Sequence, residues 1–252
     1  NISLYEKKFK KNINFLEKSL LKKKIFDLEF YNYFNKIKMI TNFNKIINSN
    51  KNFVLSALNL AFLGSFSENK ITLYKDLYHW PDGFLPLSIF KKYARFKKIP
   101  GRDLLRKLKL SKKIKYIHVI GNLEQSQKKI LKNILKKNIV HTKLPYKNHL
   151  DLIKYCPKLK KNVLYISTLP TPKQEQVAEI LKVINNNYKI LLLGGAINIV
   201  TGLEKEVPKK IENFEFLWRL RYETIKRISR LVVTGLNFIF YYLLTKKDKK
   251  IL

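Results

Sequence analysis

The sequence predicts an α/β fold: a mostly parallel sheet with helices on both faces, preceded by a basic helical segment and followed by a C-terminal helical appendage. Three observations predict it. From residue 52 onward, short apolar runs closed by turn or capping residues alternate with longer amphipathic segments. Before residue 63 there is neither Gly nor Pro, and apolar residues such as Phe15, Leu16, Leu20 and Phe26 recur among lysines at helical spacing. After residue 200 the alternation stops. These changes divide the chain into 1–50, 51–203 and 204–252.

The first segment is read as mostly helix with a basic outer face. Asp27 and Glu29 fall within its amphipathic pattern, so they are expected on a solvated helix face and not as a metal-holding pair. In the middle segment Phe53 to Ala57, Leu77 to Trp80, Tyr116 to Ile120, Val163 to Ser167 and Ile190 to Leu193 read as strands. Helices are predicted near 86–96, 102–109, 124–136 and 173–185. Beyond them Ile211 to Arg230 reads as one amphipathic helix. At helical pitch Arg219, Glu223, Arg227 and Arg230 share one side, opposite Phe214, Leu217, Ile225, Ile228 and Val232. Arg221 falls on the apolar side, an unusual place for a solvated charge. The apolar run Leu231 to Leu244, backed by Lys246, Lys247, Lys249 and Lys250, is shorter than the roughly 20 residues that cross a bilayer. It suits a segment lying on an anionic membrane surface. A helix packed into the core, or one closing a homo-oligomer, would show the same pattern.

The length and a hydrophobic content of 46% allow a sizeable core. The formal net charge of +34 would ordinarily point to nucleic acid or an anionic membrane. Lys is enriched together with Asn and Ile, however, and is spread over the whole length without a dedicated arm. No nucleic-acid partner is therefore expected. The single cysteine, Cys156, excludes an intrachain disulfide, fits a reducing compartment and reads as a small buried side chain. His79, His118, His141 and His149 fall in no metal-ligand spacing, so no zinc is expected. The glycines form neither a dinucleotide fingerprint nor a phosphate loop, which disfavours NAD and P-loop chemistry. No uninterrupted apolar run follows the early lysines as a signal peptide would need.

The stretch Asp76 to Pro86 carries the strongest functional signal. A strand that stops at Pro81-Asp82-Gly83 leaves Asp82 at its tip, and open α/β sheets bind ligands outside the carboxyl ends of their strands. The same three residues also make an ordinary turn.

Four segments in order resemble the WecG/TagA/CpsF family of bacterial glycosyltransferases: FVLSALN ending at Asn59, DLYHWPDG with IPGRDL after it, LPTPKQE ending at Glu175, and GGAINIVTG followed by FEFLWRLRYETIKRISR. They span about residues 52–230. The resemblance implies a Rossmann-like domain with a membrane-docking appendage. It also implies metal-independent, inverting transfer of a sugar from a UDP-sugar donor to a polyprenyl-diphosphate-linked saccharide in cell-surface polysaccharide synthesis. The enzyme would then be cytoplasmic and peripheral on the inner face of the membrane, with no cofactor. Carried onto this sequence, Asp82 matches the catalytic base. Asn59, Gly101, Asp103, Gln174 and Glu175 match substrate-binding positions, and Arg219, Arg227 and Arg230 match basic positions of the appendage. Ala57 stands where Thr is usual, Lys98 where Arg is usual, Pro170 where Gly is usual and Asn198 where Asp is usual, while Glu206-Val207-Pro208 replaces Arg-Ala-Pro. Exchanging Arg for Lys at position 98 loses a bidentate fork for an anion.

In that chemistry Asp82 takes the proton of the acceptor hydroxyl, with burial beside Trp80 and Phe84 raising its basicity. Arginines of the appendage, Arg221 among them, meet the charge that develops on the leaving diphosphate as the C-terminal helix closes over the pocket. Two alternatives stand beside this reading: a basic nucleic-acid-binding protein, and a non-catalytic family member acting as a membrane-associated scaffold.

Overall fold

The computed structural model describes residues 38–67, 70–71, 74–83, 96–208, 232–233, 235–236 and 238–239. The expected N-terminal helix up to residue 37, the helix near 86–96, and the helix Ile211 to Arg230 with Arg219, Arg221, Arg227 and Arg230 lie outside these residues. The chain divides into a unit of residues 38–238 and a second unit of residues 1–37 and 239–252. The first unit contains α1 (Phe43–Ile47), β1 (Phe53–Leu58), α2 (Leu60–Ser67), β2 (Leu77–Pro81), α3 (Gly101–Arg106), β3 (Tyr116–Ile120) and α4 (Gln125–Leu135). They are followed by β4 (Ile139–Thr142), α5 (His149–Leu152), β5 (Val163–Ser167), α6 (Lys173–Ile184), β6 (Lys189–Leu192) and α7 (Ala196–Val200).

The six strands form one sheet in the order β2-β1-β6-β5-β3-β4, and every neighbouring pair is parallel. All five predicted strands are present, with ends that differ by one residue at most. The strand that sequence reasoning missed, β4, is only four residues long, lies at an edge and buries only its first residue, so its pattern is too brief to read. At the other edge the backbone of residues 38–40 pairs with His79 and covers β2.

Period-two alternation divides the strands between two layers. Phe53, Leu55, Trp80, Ile117, Val119, Leu164, Ile166 and Leu191 join residues of α1, α3, α4 and α7 in one buried cluster. The other face carries Val54, Ser56, Leu58, His79, Tyr165, Ser167, Ile190 and Leu192. There Ser56 bonds to Glu175 of α6, and His79 packs edge-on against Phe62 of α2. Helices therefore cover both faces, as expected.

Local chemistry explains where several helices begin and end. α4 opens on a capping box, with Gln127 accepting from the amide of Glu124, and ends at Lys136 in the left-handed region. Its buried Gln127, Leu131 and Leu135 recur every four residues along one face. The short α1 is held by tertiary contacts. Asn44 and Asn48, one turn apart, each donate to and accept from the backbone of residues 107–111, taking the place of a neighbouring strand. Lys189 donates to the carbonyls of Ile47 and Ser49, which α1 would otherwise leave unpaired at its C-terminus. The described part of the late apolar run is helical: Phe238 is buried, and Gly235 lies close to Leu60 of α2.

Burial pushes His79 down to about 3 and is the leading cause that takes His118 down to about 4. For a histidine kept neutral in the fold, the unfolded chain binds more protons below about pH 6.5. The stability contribution is thus full at neutral pH and is lost as pH falls through that value towards 3. Urea unfolding of the parent should weaken between pH 7 and 5. The pH slope should be smaller in His79→Gln by up to about 1.4 kcal/mol per pH unit.

Candidate active site

The carboxyl ends of β1, β2, β5 and β6 meet at a cavity of about 280 Å3. Two loops build its walls, and they come from opposite halves of the sequence.

On one side the chain leaves β1 through Asn59, which caps α2: its side-chain carbonyl accepts from the amide of Phe62 at 3.0 Å. The amide end of the same side chain donates to Asp82 Oδ2 at 3.0 Å. Asp82 Oδ1 accepts from the backbone N–H of Gly101 at 2.9 Å, so the carboxylate also serves the first turn of α3, whose preceding Pro100 has no capping side chain. Gly83 donates to Leu58 O and Ile99 to Pro81 O, which holds Pro81-Asp82-Gly83 between two neighbours. The segment thus prolongs the end of β2 instead of turning freely. Gly101 fits closely here, since a Cβ there would lie 3.0 Å from the side chain of Ala196. Trp80 is almost fully buried and lines the cavity, and among the described residues its indole N–H has no hydrogen-bonding partner.

On the other side β5 leads into Pro170-Thr171-Pro172 and the first turn of α6. Glu175 Oε1 accepts from Ser56 at 3.0 Å, from Thr171 at 3.2 Å and from the Gln174 amide at 3.0 Å. Burial raises the Glu175 pKa, an effect opposed by its own backbone amide and by those three side-chain donors. Gln174 and Glu175 are each 4% exposed, yet among the described residues Gln174 Oε1 and Glu175 Oε2 have no partner. Buried acceptors left in this way are costly unless a ligand or solvent meets them. Gly194, at φ +54, leaves the wall beside Gln174 without a side chain; a Cβ there would stand 3.9 Å from Gln174 Oε1.

Asn59, Asp82, Gly101 and Gln174 therefore line one cavity, and Glu175 sits directly behind Gln174. Ala57 and Pro170, two positions where the chain departs from the usual family pattern, line it as well. Lys98 and Asp103 do not: Lys98 lies half-buried before α3, and Asp103 is in the first turn of α3, 3.8 Å from the Arg106 guanidinium. Asn198 is likewise not on the wall. It accepts from Gln127 at 3.1 Å and donates to Glu204 at 2.8 Å, joining α7 to α4.

Arg102 was missed by sequence reasoning. It lines the cavity at 3% exposure, and its Nε donates to Glu206 at 3.0 Å, while Arg106 forks onto the same carboxylate at 2.8 and 2.7 Å. The Arg106 bond is the largest of the causes that hold the Glu206 carboxyl below its usual range. The only signal available was an arginine between the Gly and Asp of a helix start, which most helices would place in solvent. Val233 also reaches the wall, so part of the late apolar run closes the cavity. Among the described residues no group of His, Cys, Asp or Glu is arranged to hold a metal ion. No described helix is long and apolar enough to cross a membrane.

A parallel sheet with a fixed carboxylate and a buried glutamine lining one cleft at its carboxyl ends is the arrangement of a Rossmann-like α/β enzyme. More specifically, the chain belongs to the glycosyl transferase WecG/TagA/CpsF family, whose profile matches residues 24–251. It is a glycosyltransferase of cell-surface polysaccharide synthesis, a class that works on a sugar-nucleotide donor and a glycan acceptor. No curated protein matches the chain.

Asn59 does two separable jobs, as helix cap and as partner to Asp82. Asn59→Ala should lower stability by roughly 0.5–2 kcal/mol at any pH. Asn59→Asp keeps the cap but sets two carboxylates face to face. Its loss in urea unfolding should be evident at pH 7 and much smaller at pH 5.

Proposed function

We propose that this enzyme transfers a sugar with inversion from a UDP-sugar to a polyprenyl-diphosphate-linked saccharide, with Asp82 as the base. The observation that carries the reading is that Asp82 and Gln174, from opposite halves of the chain, line the same cleft. The acceptor hydroxyl oxygen attacks the anomeric carbon, and the bond from that carbon to the diphosphate oxygen breaks. UDP leaves with the electron pair, and the hydroxyl proton passes to Asp82. Each Asp82 oxygen already accepts one protein bond. Those bonds orient the carboxylate that accepts the proton.

Gln174 Oε1 supplies an acceptor for a hydroxyl or N–H of the donor. Charge developing on the leaving diphosphate is met by Arg102 at the cavity wall, with the arginines at 219, 221, 227 and 230 as further candidates. In this reading neither a metal nor a cofactor takes part, and the enzyme works on the inner face of the cell membrane, where a lipid-linked acceptor is reached.

Asp82→Asn can keep the bond from Gly101 while losing the proton acceptor. With a matched donor and acceptor, its turnover should fall by about 100-fold or more without loss of folding. Turnover within a few-fold of the parent would remove Asp82 from the mechanism. A thermal-shift screen of UDP-sugars tests the donor directly, because a ligand at 100 times its Kd stabilises the fold by about 2.7 kcal/mol. Arg102→Met should weaken UDP binding by about tenfold or more while Arg106→Met, which does not reach the cavity wall, leaves it close to the parent. Absence of any stabilisation, together with salt-sensitive RNA binding, would instead support the nucleic-acid reading.

A further inference from the structure

Among the described residues the large aromatic side chains that stand exposed are Tyr146, at 102% of its reference area, and Tyr155, at 44%. Both belong to the segment from the end of β4 to the 3-10 turn Ile153–Tyr155 that follows α5, and both are held by lysines. The Lys173 ammonium lies 5.1 Å from the centre of the Tyr146 ring, and that of Lys147 lies 5.2 Å from the centre of the Tyr155 ring. Lys173 also donates to Lys147 O at 2.7 Å, and Lys147 to the Tyr155 hydroxyl at 3.0 Å, so the two aromatic–lysine pairs form one unit. Leu150 on α5 is 65% exposed, and Lys143 and Lys154 stand exposed on the same segment. Asp151 is its only carboxylate and is tied to Asn148 at 2.6 Å.

We infer that this patch, built from residues 143–155 and Lys173, is a docking surface for an anionic lipid bilayer. Tyrosines and a leucine with lysines around them match the headgroup boundary, where a ring or alkyl chain enters the apolar edge and ammonium groups meet lipid phosphates. Charge alone does not single out this face. Lys51, Lys112, Lys113, Lys158, Lys160 and Lys161 stand exposed around the opposite ends of the strands, but among the described residues no exposed aromatic stands with them. Position supports the same partner. Lys173 lies between Pro172 and Gln174, which line the active-site cavity, so one loop carries both the cavity wall and the edge of the patch. A bilayer seated on Tyr146 and Leu150 would bring the cleft to the level at which a lipid-linked diphosphate sits. The inference rests on the transferase reading for that acceptor.

The test uses the full chain with vesicles of phosphatidylglycerol and phosphatidylcholine in equal parts. An environment-sensitive dye is placed at Tyr146→Cys in a Cys156→Ser background. Its emission should shift to the blue and be quenched by spin-labelled lipid in these vesicles, and not in pure phosphatidylcholine. Tyr146→Ser with Leu150→Ser should lower vesicle partitioning by about tenfold, while Val183→Ser with Ile184→Ser, an exposed apolar pair at the far end of α6, leaves it unchanged. Vesicle binding with an unquenched dye, equal partitioning of the two double variants, or no vesicle binding would each overturn the inference. Stabilisation by UDP-sugars without vesicles is scored separately. A protein that binds donor but keeps position 146 out of lipid loses this surface alone, and one that binds no donor loses the transferase reading.

Discussion

The arrangement turns on a single carboxylate that belongs to two elements at once. Asp82 receives the side-chain amide of Asn59 and the first backbone N–H of α3, and in doing so it ties the ends of β1 and β2 to the start of a helix packed on the far layer. A negative charge at a helix start is favourable in its own right. The group proposed for catalysis is therefore also part of what positions the cleft wall. Each oxygen serves one of the two elements. Asn59, which caps α2 with its carbonyl oxygen and donates to Asp82 with its amide nitrogen, orients that carboxylate.

The opposite wall follows a different logic. Ser56, Thr171 and Gln174 converge on one oxygen of a buried glutamate and leave the other oxygen, and the Gln174 carbonyl, without partners among the described residues. A core built for stability alone would not keep such acceptors unpaired. Around them the wall is made of small or rigid residues, namely Gly194, Gly195, Pro170 and Pro172. Rigid walls with unmet acceptors suit a ligand that brings its own donors, as a sugar does.

Much of this was legible from the sequence, and the reasons differ by element. The five strands other than β4 announce themselves through apolar runs closed by turn or capping residues, and Asp82 is legible because it follows such a run at a strand tip. β4 was not, because four residues with one buried side chain carry no period. α7 and α1 were not resolved as separate helices, being five residues each and fixed by tertiary bonds such as the Asn44 and Asn48 ladder. Among site residues, Gln174 and Asn59 came with the family resemblance. Arg102 could not be found in this way, since its place on the cavity wall depends on Glu206, more than a hundred positions away in the chain. Lys98 and Asp103 show the converse, residues near the right motif whose side chains the fold directs elsewhere.

The two borders of the sheet are treated unequally. Residues 38–40 occupy the outer side of β2, but no described strand pairs with the outer side of β4, where Val140 stands open. An unguarded border of this kind invites recruitment of foreign strands and, from there, aggregation. Here the exposure is limited to four residues, with Lys136 and Lys137 just before them and Lys143 just after. Mutual repulsion between such cationic flanks would discourage two molecules from zipping together at that border, and replacing those lysines with neutral residues would remove the safeguard.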